Sequence, residues 1–167
     1  MNINNSNVLL RPLTLKDFQT VLTWSRDSSF CVANGWELNR SQEELYLWWS
    51  RNVNNQQPNF IRLGIEFQHT LIGYVDLAEI HSNTAELGIA IGESSLWGKG
   101  IGITAANKMI AYGAEQLSIH LFRAETHITN QRAQKMLKRI GFQEESWPGN
   151  ETPSSYIPFI LHVERSV

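Results

Sequence analysis

The sequence has a single cysteine, Cys31, so no disulfide can form within the chain. That fits a reducing compartment. Cys31 reads as a small, half-buried hydrophobe; as a covalent nucleophile it would want a basic partner, and none can be assigned. Long apolar runs are missing, and nothing approaches the roughly 20 residues that cross a bilayer. The start, MNINNSNVLLRPL, has neither the cationic region nor the apolar core of a signal peptide. An excess of charge of one sign is missing too. The 14 Lys and Arg against 16 Asp and Glu leave a formal charge of -2, which argues against nucleic acid as a bulk ligand but not against a small anion. Charged residues make 18% and hydrophobic residues 42%, which is not a disordered composition. No repeat and no linker divides the 167 residues. The expectation is one soluble, cytoplasmic domain over 1–167 with no membrane partner.

What is present is organised around residues 85–116, AELGIAIGESSLWGKGIGITAANKMIAYGAEQ. This reads as strand, glycine-rich loop, helix. In that order the loop and first helical turn aim backbone N–H groups at one spot. The spot is an anion site, because the first N–H groups of a helix lack internal partners and lie at its positive end.

Upstream, Val8–Arg11 is a short strand ended by Pro12. Thr14 with Asp17 is a capping signal for a helix to about Ser25, with Leu15, Phe18, Val21 and Leu22 at helical spacing. Residues 26–40 are less regular. Ser41-Gln-Glu-Glu44 is a capping box, opening a helix with Leu45, Trp48, Trp49 and Asn52 near one face. The adjacent tryptophans read as core, or as the wall of a substrate cleft. Residues 52–59 form a loop. Strands over 60–67 and 71–80 are joined by Gln68-His69-Thr70, of hairpin length but without a glycine. A turn at 81–83 leads to a third strand, Thr84–Ile91, so the simplest assembly is an antiparallel meander. A helix over 101–116 and a strand over 120–127 follow. Asn130 opens a helix lined by Ala133, Met136, Leu137 and Ile140, and Gly141 closes it. Residues 142–147 and 156–164 are strand candidates around the turn-rich WPGNETPSS.

The glycine loop fits neither common nucleotide motif. In the dinucleotide frame G-x-G-x-x-G, Ile103 stands where the last glycine belongs. In a Walker A frame, five residues rather than four separate Gly92 from Gly98, and Gly100 stands where a hydroxyl should bind magnesium.

What remains is a W-G-K-G-I-G turn running into a helix, and here the chain resembles the GNAT superfamily of N-acetyltransferases. The family's acetyl-CoA pyrophosphate loop has the form Q/R-x-x-G-x-G/A. Gly100 and Gly102 match it, and Trp97 departs from it at the first position, as in the branch resembling the Rim-type ribosomal-protein acetyltransferases. A second family landmark is met by Asn130, Ala133, Gly141 and Phe142. The resemblance implies an α/β fold of the α+β type. Its sheet of about seven strands is mixed, mostly antiparallel, splayed between strands four and five, and flanked by about four helices. It also implies acetyl-CoA as cosubstrate, an amine acceptor and no metal, in a monomer or homodimer.

By this resemblance the pantetheine arm enters the splay. Along Thr84–Ile91 one face carries Leu87, Ile89 and Ile91, and the other carries Glu86, Gly88, Ala90 and then Gly92. The second face is nearly bare, so the arm is expected close to it, with the backbones of Ile89 and Ile91 pairing with its amides. The pyrophosphate is expected on the segment Trp97, Gly98, Lys99, Gly100, Ile101, Gly102, Ile103 and Thr104, through N–H groups from Gly98 to Thr104. Lys99 adds charge there or is simply solvated. Asn130 would hydrogen-bond the arm, or act as an ordinary N-cap.

Acetyl transfer needs a neutral amine, a stabilised oxyanion and a thiolate that leaves. An ammonium with a pKa of about 10 calls for a base or a water relay. Glu86 is the leading base, as the only ionisable side chain on the bare face; a substrate anchor or a structural carboxylate is the other reading of it. Glu79, Asp76 and His127 are weaker alternatives. Leu137 stands where many relatives carry a tyrosine acid, which also weighs against a polyamine acceptor. Protonation of the thiolate then falls to Tyr156, Ser155 or water, and Tyr156 joins Glu86 as a candidate catalytic residue. The acceptor is a protein N-terminus or a small amine such as an amino sugar, and no nucleic acid is expected. The alternative is a non-catalytic CoA-binding module.

Overall fold

The computed structural model of the chain describes residues 7–146 and 154–164. Most of the turn-rich segment WPGNETPSS lies outside the described residues.

Strands β1 (Val8–Arg11), β2 (Ile61–Phe67), β3 (Thr70–His81) and β4 (Thr84–Ile91) pair antiparallel in that order. The two hairpins turn on two residues each, Gln68 and His69 (φ 50 and 62) and Ser82 and Asn83 (φ 49 and 65). Such turns need both central residues at positive φ, which is why glycine or asparagine is the usual signal. Three of the four positions here do without it. Strand β5 (Leu121–His127) then pairs parallel to β4, and β7 (Tyr156–His162) runs antiparallel to β5, with β6 (Gln143–Glu144) at the outer edge. The seven-stranded sheet is therefore mixed and mostly antiparallel.

The β4–β5 pairing is short. It comprises Thr84–Leu121, Ala85–Phe122 and Glu86–Arg123, and stops there. Beyond Glu86 the two strands diverge, which is the splay between strands four and five.

Helices cover both faces. On one side lie α1 (Phe18–Trp24), α2 (Ser28–Asn34) and α3 (Gln42–Val53), packed on a cluster that includes Phe30, Trp49, Tyr74 and Ala90. On the other lie α4 (Ile101–Leu117) and α5 (Gln131–Ile140), over Val75, Leu77, Leu87, Met109 and Phe122. Among the described residues there are five α-helices where about four were expected. The addition is α2, in the stretch that shows no periodicity. Its signals are terminal: Asp27 accepts from the N–H groups of Ser29 and Phe30, and Gly35 closes it at φ 66. The strand expected over 142–147 shrinks to Gln143–Glu144, and Trp147 lies outside the described residues.

The adjacent tryptophans divide their roles. Trp49 is fully buried and its indole N–H donates to Thr14 O at 3.0 Å, so it is core. Trp48 is half-buried and stacks edge-on against Trp36. Cys31 is buried, its thiol directed at the carbonyls of Trp24 and Ser25, and burial raises its pKa. It is packing, not a nucleophile.

Candidate active site

Alternation decides what the open edge of β4 offers. Gly92 N–H donates to Ile72 O at 2.7 Å, so Gly92 belongs to the bonded set of the β3–β4 ladder. Bonded and non-bonded pairs alternate in an antiparallel ladder. Ala90 and Gly88, opposite Tyr74 and Asp76, are then bonded to β3. Ile91 and Ile89, opposite Gly73 and Val75, turn their N–H and C=O groups the other way, into the gap toward β5. Ile91 O is already taken there by the indole N–H of Trp97 at 2.8 Å. Ile89 offers both of its groups.

The loop after β4 follows from its glycines. Gly98 and Gly100 sit at φ 76 and 84, and a Cβ at either would meet nothing within 4 Å. Their backbone therefore faces open space that a ligand can approach. Gly100 is the N-cap of α4, so the N–H groups of the first helical turn point the same way. Thr104 N–H is excepted, since it donates to Gly100 O at 3.1 Å as the first regular helical bond.

One cavity joins these parts. Of the residues expected to bind the cosubstrate, Ile89, Ile91, Trp97, Gly98, Gly100, Ile101, Gly102, Ile103 and Asn130 line it, whereas Lys99 and Thr104 do not. Asn130 is also the N-cap of α5, its Oδ1 accepting from Ala133 N at 3.2 Å. That leaves its amide hydrogens for a ligand. Arg132, Lys135, Met136 and Arg139 of α5 line the cavity as well. Met136 was read only as part of the helix's apolar face, and no motif singled out the three cations, although their spacing of three and four along a helix was readable.

The face of β4 that was expected to lie bare beside the arm is filled by the fold itself. A Cβ at Gly88 would collide with the Asp76 carboxylate, and one at Gly92 with the Trp24 indole. Ala90 is buried among the cluster under α1–α3. Small residues on that face make room for neighbours in the fold, not for a ligand. The cavity is lined by Ile89 and Ile91 with α4 and α5, and at the gap it also reaches Ala33 and Asn34 of α2.

Glu86 faces the other way. It shares its face with Asp76 through the β3 register, and with the exposed side of β5 at Arg123, Glu125 and His127. It is the last paired rung before the gap. Its side chain is exposed, but partial desolvation raises its pKa, helped by the charges of Glu125, Asp76 and Glu79. Asp76 itself is tied to Arg62 at 2.7 Å, and Glu79 sits in a β-bulge at φ 49. Tyr156 is half-exposed, opposite His127, and meets that ring edge-on at 5.5 Å. Its rung lies four steps along β5 from that of Glu86, about 13 Å along the strand at roughly 3.3 Å per residue. Glu86 and Tyr156 share a face of the sheet but are not brought together. His127 is occupied by Thr129, whose hydroxyl lies 2.7 Å from Nδ1. Leu137 is buried in the core.

One buried side-chain atom among the described residues has no hydrogen-bond partner, Oγ1 of Thr126 on the core face of β5. Among the described residues no group of three or more His, Cys, Asp or Glu side chains could hold a metal ion, and no helix is long and apolar enough to cross a membrane.

Known proteins share this fold. The chain is 23% identical over 150 residues to an uncharacterized protein of Methanocaldococcus jannaschii, which covers 84% of the chain but only 29% of that protein. It superposes with a TM-score of 0.76 on the spermidine N-acetyltransferase from Vibrio cholerae in complex with CoA and spermine, at 23% identity over 96% of this chain and 97% of that one. RimL, a ribosomal alpha-N-protein acetyltransferase in complex with coenzyme A, gives a TM-score of 0.80 at 16% identity, over 95% of each chain. At these identities the superpositions establish a common fold. The family model for the acetyltransferase (GNAT) domain matches residues 7–143, the stretch that holds the parted strands, the glycine turn and helix α5. The chain belongs to the GNAT acetyltransferase family.

Proposed function

We propose that the chain is an acetyl-CoA-dependent N-acetyltransferase, moving an acetyl group to a primary amine by direct transfer in a ternary complex. The acceptor is a protein N-terminus or a small amine such as an amino sugar. The observation that carries this reading is the gap beyond Glu86. On one side of the sheet it opens beneath a glycine cradle and the backbone of Ile89, turned toward the gap; on the other stands the carboxyl group of Glu86.

Acetyl-CoA supplies an acyl carbon activated as a thioester. The residues that would hold it are Gly98, Gly100, Ile101, Gly102 and Ile103 at the diphosphate, and Ile89 and Asn130 along the arm. Glu86 would take a proton from the acceptor. The ammonium, with an ordinary pKa of about 10, is charged at neutral pH, and a base of raised pKa shortens the proton-transfer gap. With Asp76 tied to Arg62, Glu125 is the carboxylate beside Glu86 that favours a cationic acceptor on that face. Because Tyr156 stands far from Glu86, water is the simpler source of the proton for the departing thiolate. The same reading takes residues 1–167 as one catalytic domain working in the cytoplasm.

The test is CoA release from acetyl-CoA by purified protein across a panel of primary amines, with the acetylated product identified by mass. Amine-dependent release supports the reading. Binding of acetyl-CoA without release across a broad panel contradicts it, in favour of a non-catalytic CoA-binding module.

A further inference from the structure

Helix α5 turns a basic face to the cavity. Arg132, Lys135 and Arg139 recur at intervals of three and four, which puts them on one side of the helix. All three line the cavity. Lys138, off that face, pairs with Glu144 at 3.0 Å. Among the described residues none of the three cavity cations is in an ion pair.

Arg132 is held in an unusual way. Its guanidinium carbon lies 3.6 Å from the centroid of the Trp97 ring. Trp97 is itself fixed, its indole N–H bonded to Ile91 O at 2.8 Å. The contact spans from the loop after β4 to the first turn of α5, across the parted strands. Arg132 stays exposed at the cavity, stacked on an indole and with no carboxylate partner among the described residues. The opposite rim of the same cavity is the glycine turn and the start of α4. The two rims meet closely, since a Cβ at Gly102 would come within 2.9 Å of Met136 Sδ. Unpaired cations on one rim and helix-terminal N–H groups on the other both complement a ligand with several phosphates.

We propose that Arg132, positioned by Trp97, binds the diphosphate of the cosubstrate, and that Lys135 and Arg139 bind its ribose 3′-phosphate. This rests on the reading of the cavity as an acetyl-CoA site, and assigns the charges that recognise the nucleotide end. The division follows position along α5. Arg132 stands beside Trp97 at the start of the glycine turn, and the other two lie one and two turns further on.

Isothermal titration of the full chain with acetyl-CoA and with its 3′-dephospho form tests the assignment, without any need for turnover. R132Q is expected to weaken both ligands alike, by about tenfold for one partly exposed charge-assisted contact. K135Q/R139Q is expected to weaken acetyl-CoA by about tenfold or more and the dephospho form by less than about twofold. In a W97L background R132Q should cost less than about twofold, because the guanidinium has already lost its platform. Melting curves of the same variants should stay close to that of wild type. R132Q binding both ligands like wild type overturns the proposal, as does K135Q/R139Q weakening the two equally. A full tenfold cost of R132Q in the W97L background overturns the positioning role of Trp97. Wild-type protein that binds neither ligand overturns the acetyl-CoA reading itself, and this proposal with it.

Discussion

Substituting Gly100 by valine separates two demands that one residue meets. Gly100 sits at φ 84 as the N-cap of α4. A side chain there is strained wherever it points, at about 1–2 kcal/mol for the left-handed region. For a domain of this size that lowers Tm by roughly 2–8 °C, at about 2–4 °C per kcal/mol. Nothing lies within 4 Å of its Cβ, so no steric cost inside the fold is added. The valine instead fills the open space before the first-turn N–H groups. Losing two charge-assisted hydrogen bonds to a diphosphate, each worth about 1.5–3 kcal/mol, costs about 3–6 kcal/mol, or upward of about 100-fold in affinity. Gly35 is the control. It closes α2 at φ 66, also with nothing within 4 Å of a Cβ, and does not line the cavity. G35V should show the same loss of Tm and bind acetyl-CoA within about threefold of wild type. The assay is isothermal titration with acetyl-CoA alongside thermal melts. The reasoning is refuted if G100V stays folded and binds acetyl-CoA like wild type, or if G35V loses affinity as severely.

Other substitutions probe the acceptor side and the core. E86Q should lower turnover by about 100-fold or more while acetyl-CoA affinity holds, as removal of a general base requires; wild-type turnover in E86Q would remove Glu86 from that role. Only the ionised carboxylate accepts a proton, so activity should rise with pH through the raised pKa of Glu86, and E86Q should flatten that limb of a kcat/KM profile. Y156F should leave kcat within about threefold of wild type, given its separation from Glu86; a loss of about 100-fold would make Tyr156 the general acid instead. T126V replaces a buried hydroxyl without a partner by an isosteric methyl, and should raise stability by up to about 1 kcal/mol, or about 2–4 °C in Tm. A comparable fall in Tm would mean that the hydroxyl is satisfied by bound water.

The sheet and the glycine turn were legible because their signals are local. Thr84–Ile91 reads as a strand, the W-G-K-G-I-G turn as a loop, and Gly141 as a helix end, each from a few adjacent residues. Helix α2 was not legible because it is short and its stops, Asp27 and Gly35, are spread over residues that show no apolar period. The bare face of β4 was misread for a different reason. Sequence shows that Gly88 and Gly92 carry no side chain, but not that Asp76 and Trp24 fill the room they leave. That requires the register of β3 and the packing of α1, which are non-local. The stack of Arg132 on Trp97 joins residues 35 positions apart (132 minus 97), and no spacing rule connects them. The separation of Glu86 from Tyr156 follows only once β7 is known to pair with β5 rather than with β4.

A crystal structure of the protein grown with CoA locates the cosubstrate itself. The diphosphate is expected on the N–H groups between Gly98 and Ile103, the pantetheine arm in the gap beside Ile89, and its sulfur at the gap where Glu86 stands across the sheet. CoA bound outside the gap, or an arm laid along the face of Glu86, Gly88 and Ala90, would contradict this placement.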